Sequence, residues 1–301
     1  MKILLLGKSG QVGWELQRSL APLGELIALD FDSKPWCGDF TNLLGLAETV
    51  RRVAPDIIVN AAAHTAVDKA ESEPDLARTI NALAPQVLAQ EALRLGAWLV
   101  HYSTDYVFDG GGAAAWREDD ETAPLSVYGA TKLEGEQAIA ASGCKYLIFR
   151  TSWVYGARGG NFAKTMLRLA QERDSMKIID DQYGAPTGAD LLADVTAHAL
   201  RTAVQRPELA GLYHLVAGGV TTWHEYAGMV IEHARKQGMP IKVAQDAIQA
   251  VDTSAFPTPA KRPQNSRLNT AKLQHTFKLT LPDWQVGVTR MLIEVLESGK
   301  S

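Results

Sequence analysis

Strand-like and helix-like patterns alternate without a break through the first half of this chain, and that alternation leaves few folds open. The runs 2–7 ("KILLLG"), 25–30 ("ELIALD"), 56–63 ("DIIVNAAA"), 97–105 ("AWLVHYSTD") and 145–154 ("KYLIFRTSWV") are nearly continuous in apolar residues. Strands wetted on one face alternate in polarity, whereas strands covered on both faces do not. Between these runs lie "QVGWELQRSLAPLG", "NLLGLAETVRRVAP", "DLARTINALAPQVLAQEALRLG" and "VYGATKLEGEQAIAASG", with helical spacing of apolar residues and a Gly or Pro near each end. Strict alternation of this kind builds βαβ units into an α/β fold with a doubly wound parallel sheet. After Trp153 the pattern loosens into helices with short strands such as "MKIID" and "GLYHLVAG" among them. The expected division is a dinucleotide-binding domain over 1–157, with parts of 176–218 returning to it, and a smaller, mainly helical substrate lobe over 158–301. The polar, Pro-rich stretch 253–269 reads as a fixed loop over a site.

Bulk properties narrow the partners. A net charge of −4 over 301 residues carries no basic footprint for a nucleic acid, and no Lys/Arg run marks a membrane surface. Two cysteines, Cys37 and Cys144, are too few for a disulfide framework and lack zinc spacing, which suits a reducing cytoplasm. The opening "ILLL" is too short for a signal-peptide core or a membrane span, so Met1 is read as the start of the mature fold.

The stretch "GKSGQVG" sets Gly7, Gly10 and Gly13 between the first strand and the first helix. Glycine permits the tight turn and lets backbone N–H groups approach a pyrophosphate at the positive end of the helix dipole. Asp30, ending the second strand, is placed to accept from an adenosine ribose. Asp39 and Phe40 follow in the next connection, where Phe is expected to flank adenine and Asp to accept from its amino group. Ala62, Ala63 and Thr65 end the third strand with small side chains that admit a flat cofactor. All these positions lie at carboxyl ends of strands, where open α/β sheets bind ligands.

The fourth strand delivers Thr104 and Asp105 to the same edge, and "LSVYGATKLEGE" then places Tyr128 and Lys132 one helical turn apart. Residues at that spacing have Cβ atoms roughly 5–6 Å apart. Spacing alone does not distinguish such a pair from an ordinary polar helix face. Behind a glycine turn and a hydroxyl-bearing strand end, it reads as an acid with its tuning charge. A free phenol has a pKa of about 10, and a nearby ammonium together with an oxidised nicotinamide is expected to lower it. Tyr128 is then the proton donor to a carbonyl receiving a hydride. Thr104 hydrogen-bonds the developing alkoxide, and Lys132 also holds the nicotinamide ribose.

The glycine turn with "NAAAHT", "HYSTDYVF" and "YGATKLEGE" resembles the extended short-chain dehydrogenase/reductase family, which implies a Rossmann-type fold. The blocks "FRTSWVY", "NFAKTML", "DQYGAPTGA" and "RPQNSRLN" extend the similarity, over nearly the whole length, to its sugar-nucleotide reductases. The resemblance implies NADPH- or NADH-dependent reduction of the C4 ketone of dTDP-4-dehydro-β-L-rhamnose, for cell-surface polysaccharide such as O antigen. It also implies cofactor contacts at Gln11, Val12, His64 and Tyr102, and substrate contacts at Thr104, Asp105 and Trp153. Magnesium at a homodimer interface is implied at Glu15, Asp190 and Glu294, where Asp190 is one methylene shorter than the Glu of the family pattern. Arg262 and Asn265 are candidates for the substrate diphosphate, or else an exposed loop pair. His64 and His101 are given no proton-transfer role.

Three other functions stay open at this point. A 4,6-dehydratase of the family carries an Asp-Glu pair after the strand-four threonine, whereas Thr104 here precedes Asp105 and Tyr106. An epimerase needs the same groups as a reductase. A non-catalytic regulatory subunit, like the methionine adenosyltransferase β subunit that resembles this family, would bind without turnover.

Overall fold

The computed structural model describes residues 1–298. Each of the five apolar runs forms a strand: β1 (Lys2–Leu6), β2 (Glu25–Leu29), β3 (Ile57–Asn60), β4 (Trp98–Thr104) and β5 (Lys145–Thr151). Between them come α1 (Gln11–Leu20), α2 (Leu43–Val53), α3 (Val67–Ser72), α4 (Pro74–Arg78), α5 (Ala84–Leu95) and α6 (Val127–Ser142). The later strands are β6 (Val154–Tyr155), β7 (Met176–Ile179), β8 (Tyr183–Gly184), β9 (Thr187–Gly188), β10 (Gly211–His214), β11 (Thr221–Thr222) and β12 (Ile248–Val251). The later helices are α7 (Phe162–Glu172), α8 (Ala189–Gln205), α9 (Trp223–Lys236), α10 (Ala271–Phe277) and α11 (Trp284–Ser298).

Strand β10 returns to the nucleotide half and completes a six-stranded sheet in the order β2-β1-β3-β4-β5-β10, parallel throughout. Chain direction across the sheet reverses beside β1, so the carboxyl ends of β1 and β3 frame a crevice. The apolar runs are continuous because both faces are covered. Ile3 and Leu5 pack with Leu16 and Leu20 of α1 and Leu192 of α8, while Leu4 and Leu6 pack with Leu46 of α2 and Leu88 of α5. All four β1 side chains are fully buried, and each contributes roughly 1.5–3 kcal/mol relative to exposure. A separate cluster holds α7, α9 and α11 together through Met166, Val230, Tyr226 and Trp284.

Three boundaries differ from expectation. The third run stops being strand at Asn60, so Ala61 to Thr65 bend away as an irregular segment at the crevice. The long helix expected over 75–96 is interrupted by a π turn at Thr79–Leu83. The fifth run breaks at Ser152 and Trp153, and Trp153 takes φ +49°, a conformation that costs a non-glycine residue on the order of 1–3 kcal/mol and marks a place where the chain re-aims a side chain. Among the described residues no helix is long and apolar enough to cross a membrane.

Candidate active site

Among the described residues four α-helix starts carry a side-chain cap: Asn42 accepts from the Gly45 N–H, Ser126 from Gly129, Asn161 from Lys164 and Thr222 from Glu225. Helix α1 begins at Gly10 without one and has no acidic residue in its first turn. Its free N–H groups and positive dipole end therefore open on the crevice, as an anion site requires. The turn leading to it is built by close approach. A Cβ on Gly13 would lie 1.9 Å from the Gly7 carbonyl oxygen, and one on Gly7, at φ +86°, would lie 2.7 Å from the Ala62 nitrogen. No side chain fits at either position, and the pyrophosphate cradle is consequently bare backbone.

This turn opens into a cavity of about 840 Å³, at the upper end of the range for ligand sites, roughly 300–1,000 Å³. Gly7, Gly10, Gln11, Val12 and Asp30 line one end. Ala62, Ala63, Thr65 and Tyr102 line the middle, and Thr104, Asp105, Tyr128, Lys132, Trp153 and Arg262 the other end. The residues present thus fit a dinucleotide together with a second ligand. Tyr102 takes part through its backbone side, since its phenol bonds Thr196 at 2.6 Å.

Several expected contacts lie elsewhere. Phe40 is buried in the sheet core with Leu4, Leu29 and Val50 rather than flanking a base, because an aromatic side chain at that turn gains more from the apolar face beneath it than from the crevice. Asp39 lies off the cavity wall, where its Oδ1 accepts from the Thr41 backbone N–H at 2.8 Å and hydroxyl at 2.7 Å. Gly13 supports the turn from below. The His64 side chain lies off the cavity wall, 3.7 Å from Glu73, while its backbone is clasped by Asn81, which accepts its N–H at 2.9 Å and donates to its carbonyl at 3.1 Å. Asn265 is buried and fully committed, donating to the Gly111 and Ala114 carbonyls at 3.1 and 2.8 Å and accepting from Arg267. It fixes the 253–269 loop and is neither a diphosphate ligand nor an exposed loop residue. Arg262 from that loop does reach the cavity, held by a two-pronged ion pair with Asp68 of α3 at 2.7 and 3.1 Å.

The chemical end is dry. Lys132 is 2% exposed and Asp105 1%. Burial raises the Tyr128 phenol to about 12, against a smaller downward pull from the Thr104 hydroxyl, and the Asp105 carboxylate adds to the rise. In the protein alone, without the oxidised nicotinamide that the expectation also invoked, the phenol is raised rather than lowered. Desolvation dominates, and the lysine Nζ is turned to the Tyr102 carbonyl at 2.6 Å and to His101 Nε2 at 3.2 Å. Burial brings Lys132 down to about 8. The Thr104 hydroxyl donates to Asp105 Oδ1 at 3.1 Å. The Asp105 carboxyl is pushed up to about 6 by burial, with Ser266 and Thr104 opposing, and its Oδ2 has no hydrogen-bond partner among the described residues.

Sequence reasoning missed Asn60, Asn81, Asp68, Tyr106, Phe162 and Trp223. Tyr106 meets Tyr128 edge-on at 5.5 Å, and Trp223 stacks on Trp153 at 3.7 Å and 16°. With Phe162 they continue the main cavity into a second one of about 300 Å³. A polar residue closing an apolar strand was a visible signal for Asn60. For Trp223, distant in sequence from every motif, there was none.

Glu15, Asp190 and Glu294 do share the wall of one small cavity of about 40 Å³. Arg290 enters the same wall and stands 3.6 Å from Asp190, and Glu15 pairs with Arg18 at 3.4 Å. Among the described residues no three His, Cys, Asp or Glu side chains are grouped to hold a metal. Within one copy of the chain these carboxylates therefore do not by themselves form a metal site.

A glycine turn without side chains, an uncapped helix start and a Tyr-Lys-Thr group on one cavity define a nicotinamide-dinucleotide oxidoreductase of the extended short-chain dehydrogenase/reductase type. Within it the chain belongs to the family described by the RmlD substrate binding domain, whose model matches residues 1–297. It is 64% identical over 295 residues to the dTDP-4-dehydrorhamnose reductase of Shigella flexneri, covering 98% of each chain. Among solved structures, a dTDP-4-dehydrorhamnose reductase of Clostridium acetobutylicum superposes with a TM-score of 0.87 at 38% identity, covering 99% of this chain and 100% of the other. The enzyme of that name from Bacillus anthracis, in complex with NADP, superposes with a TM-score of 0.86 at 35% identity, covering 97% and 99%.

Proposed function

We propose that the chain reduces the C4 ketone of dTDP-4-dehydro-β-L-rhamnose to dTDP-L-rhamnose. The observation that carries this reading is the opening of Tyr128, Thr104 and Asp105 into the same cavity as the glycine turn. The bound NADPH or NADH supplies the hydride. Tyr128, kept protonated by burial, gives its proton to the C4 oxygen as negative charge develops there. The Thr104 hydroxyl, which donates to Asp105 in the protein alone, turns its hydrogen to that oxygen. Lys132 anchors the ribose next to it. Asp105 accepts from a sugar hydroxyl through its unpartnered oxygen, and Trp153 covers the sugar. Arg262 meets the diphosphate, and the aromatic side cavity receives the base. The 158–301 portion then serves as the substrate lobe, while the 1–157 portion with α8 and β10 serves the cofactor. We place the chain in the cytoplasm as a homodimer, which light scattering tests.

The deciding experiment follows cofactor absorbance and product mass together. One NAD(P)H is expected to be consumed per dTDP-4-dehydro-L-rhamnose, with no conversion of dTDP-glucose to its 4-keto-6-deoxy product. Sugar turnover without net cofactor oxidation would replace this reading with an epimerase.

Cofactor choice hinges on Asp30. Its carboxylate accepts from the Ser9 N–H at 3.1 Å and the Phe31 N–H at 3.0 Å, which holds a negative charge at the adenosine end, while Ser33 and Lys34 lie just beyond it. Use of both cofactors is expected. Asp30→Ala should move the ratio of kcat/KM values toward NADPH by about tenfold, the equivalent of removing roughly 1.4 kcal/mol of like-charge repulsion. An unchanged ratio would mean that Asp30 does not face the 2′ position.

A further inference from the structure

Behind Lys132 runs a closed row of hydrogen bonds. Asn60, His101 and Lys132, on β3, β4 and α6, are 1%, 1% and 2% exposed. Asn60 Oδ1 accepts the Ala62 backbone N–H at 3.0 Å, and Asn60 Nδ2 stands 3.0 Å from His101 Nδ1. His101 Nε2 stands 3.2 Å from Lys132 Nζ, which also donates to the Tyr102 carbonyl at 2.6 Å.

Donor and acceptor roles follow by elimination. A backbone N–H only donates, so the oxygen of Asn60 faces Ala62 and its amide nitrogen faces His101. An amide nitrogen also only donates, so His101 Nδ1 accepts. A neutral imidazole with an accepting Nδ1 carries its proton on Nε2, and that N–H faces Lys132. An ammonium has no lone pair to receive it, whereas an amine has one.

We infer that His101 is a positioning residue, donating from Nε2 to the neutral amine form of Lys132 and so favouring the amine over the ammonium in the free protein. The lone pair of the lysine is thereby turned inward, with one hydrogen on the Tyr102 carbonyl and another left for the cavity. Burial acts in the same sense, lowering both groups, and His101 falls well below the ordinary histidine range. The charged and titratable neighbours are few. Glu136 of α6 favours the ammonium, but its carboxylate is taken by Arg150 of β5 in a two-pronged pair at 2.7 and 3.0 Å. Asp105 and Tyr128 line the same cavity as Lys132. Asn81, packed against α6, carries no charge and is occupied by His64 and Thr131. The row ends at the Asn60 amide, which neither gives up nor takes a proton, so it tunes the lysine rather than conducting protons.

The consequence for turnover rests on the reductase reading, but the test uses no sugar, so the two fail separately. In the protein without ligands, ¹⁵N-histidine spectra should show His101 as the neutral Nε2–H tautomer above about pH 8, where the lysine is the amine. The ¹³Cε resonance of Lys132, assigned with Lys132→Arg, should titrate with a midpoint of about 8. His101→Asn keeps a partner for Asn60 but cannot reach the lysine, and its midpoint should rise by about one pH unit. Asn60→Asp accepts from both Ala62 and the imidazole, and should invert the tautomer to Nδ1–H. An imidazolium or an Nδ1–H tautomer in the unaltered protein at about pH 9 would overturn the inference even if both variants failed to fold. An unmoved lysine midpoint in folded His101→Asn would also overturn it.

Discussion

Tyr128→Phe is expected to lower kcat by about 10²–10⁴-fold, the usual contribution of a positioned acid, while the affinity for NADPH stays within about twofold, since no ring contact is lost. Phenylalanine keeps the edge-on contact with Tyr106 at 5.5 Å and the volume of the buried ring. It removes only the O–H. Burial has raised that phenol to about 12, so across the physiological range it stays neutral and keeps its proton, which a reduction requires. Thr104 remains to donate to the developing alkoxide, so a residual rate should persist, and Lys132→Ala should differ by weakening cofactor affinity as well. The measurement is single-turnover kinetics beside a fluorescence titration of the cofactor. A phenylalanine variant within threefold of the parent rate would remove Tyr128 from the mechanism.

What the sequence made legible divides along physical lines. Period-two burial on both faces of a sheet leaves continuous apolar runs, so β1 to β5 were readable from residue type alone. The glycine turn was readable because backbone contacts as close as those at Gly7 and Gly13 admit no other residue. Contacts set by competition between two environments were not. Phe40 had a crevice and a core available and took the core. Asn265 sat in a polar loop that reads as exposed, yet the carbonyls of Gly111 and Ala114 that saturate it are far away in sequence. Tyr128 and Lys132 were correctly placed on one helix turn, but the sign of the phenol's shift depends on how much water the fold removes, which spacing does not encode. The same holds for Asn81, which clasps the His64 backbone from within the π turn that interrupts the expected helix over 75–96.

Asp105→Asn should stabilise the protein at pH 7.5 and impair its binding of sugar. The folded carboxyl sits at about 6 because it is buried, against 3.8 for an ordinary aspartate. An acid raised in this way binds more protons folded than unfolded, so its contribution favours the fold below about pH 4, declines as pH rises, and is a full penalty above about 6. Two pH units correspond to about 3 kcal/mol, or roughly 5 °C in Tm for a chain of this size. The asparagine keeps the shape and the acceptor for Thr104 but never ionises. Its advantage over the parent should therefore be near zero at about pH 4 and should grow until about pH 6. The unpartnered Oδ2 is where the cost lies. If it accepts from a sugar hydroxyl, losing that charge-assisted bond should raise KM by about 10–100-fold, in line with roughly 1.5–3 kcal/mol for a hydrogen bond to a charged group. Thermal melts of both proteins across the pH range, with KM at pH 7.5, separate the two effects. A variant that is less stable at pH 7.5 than the parent would show that the carboxylate is held by partners strong enough to repay its burial. An unchanged KM would show that Asp105 shapes the site through Thr104 alone.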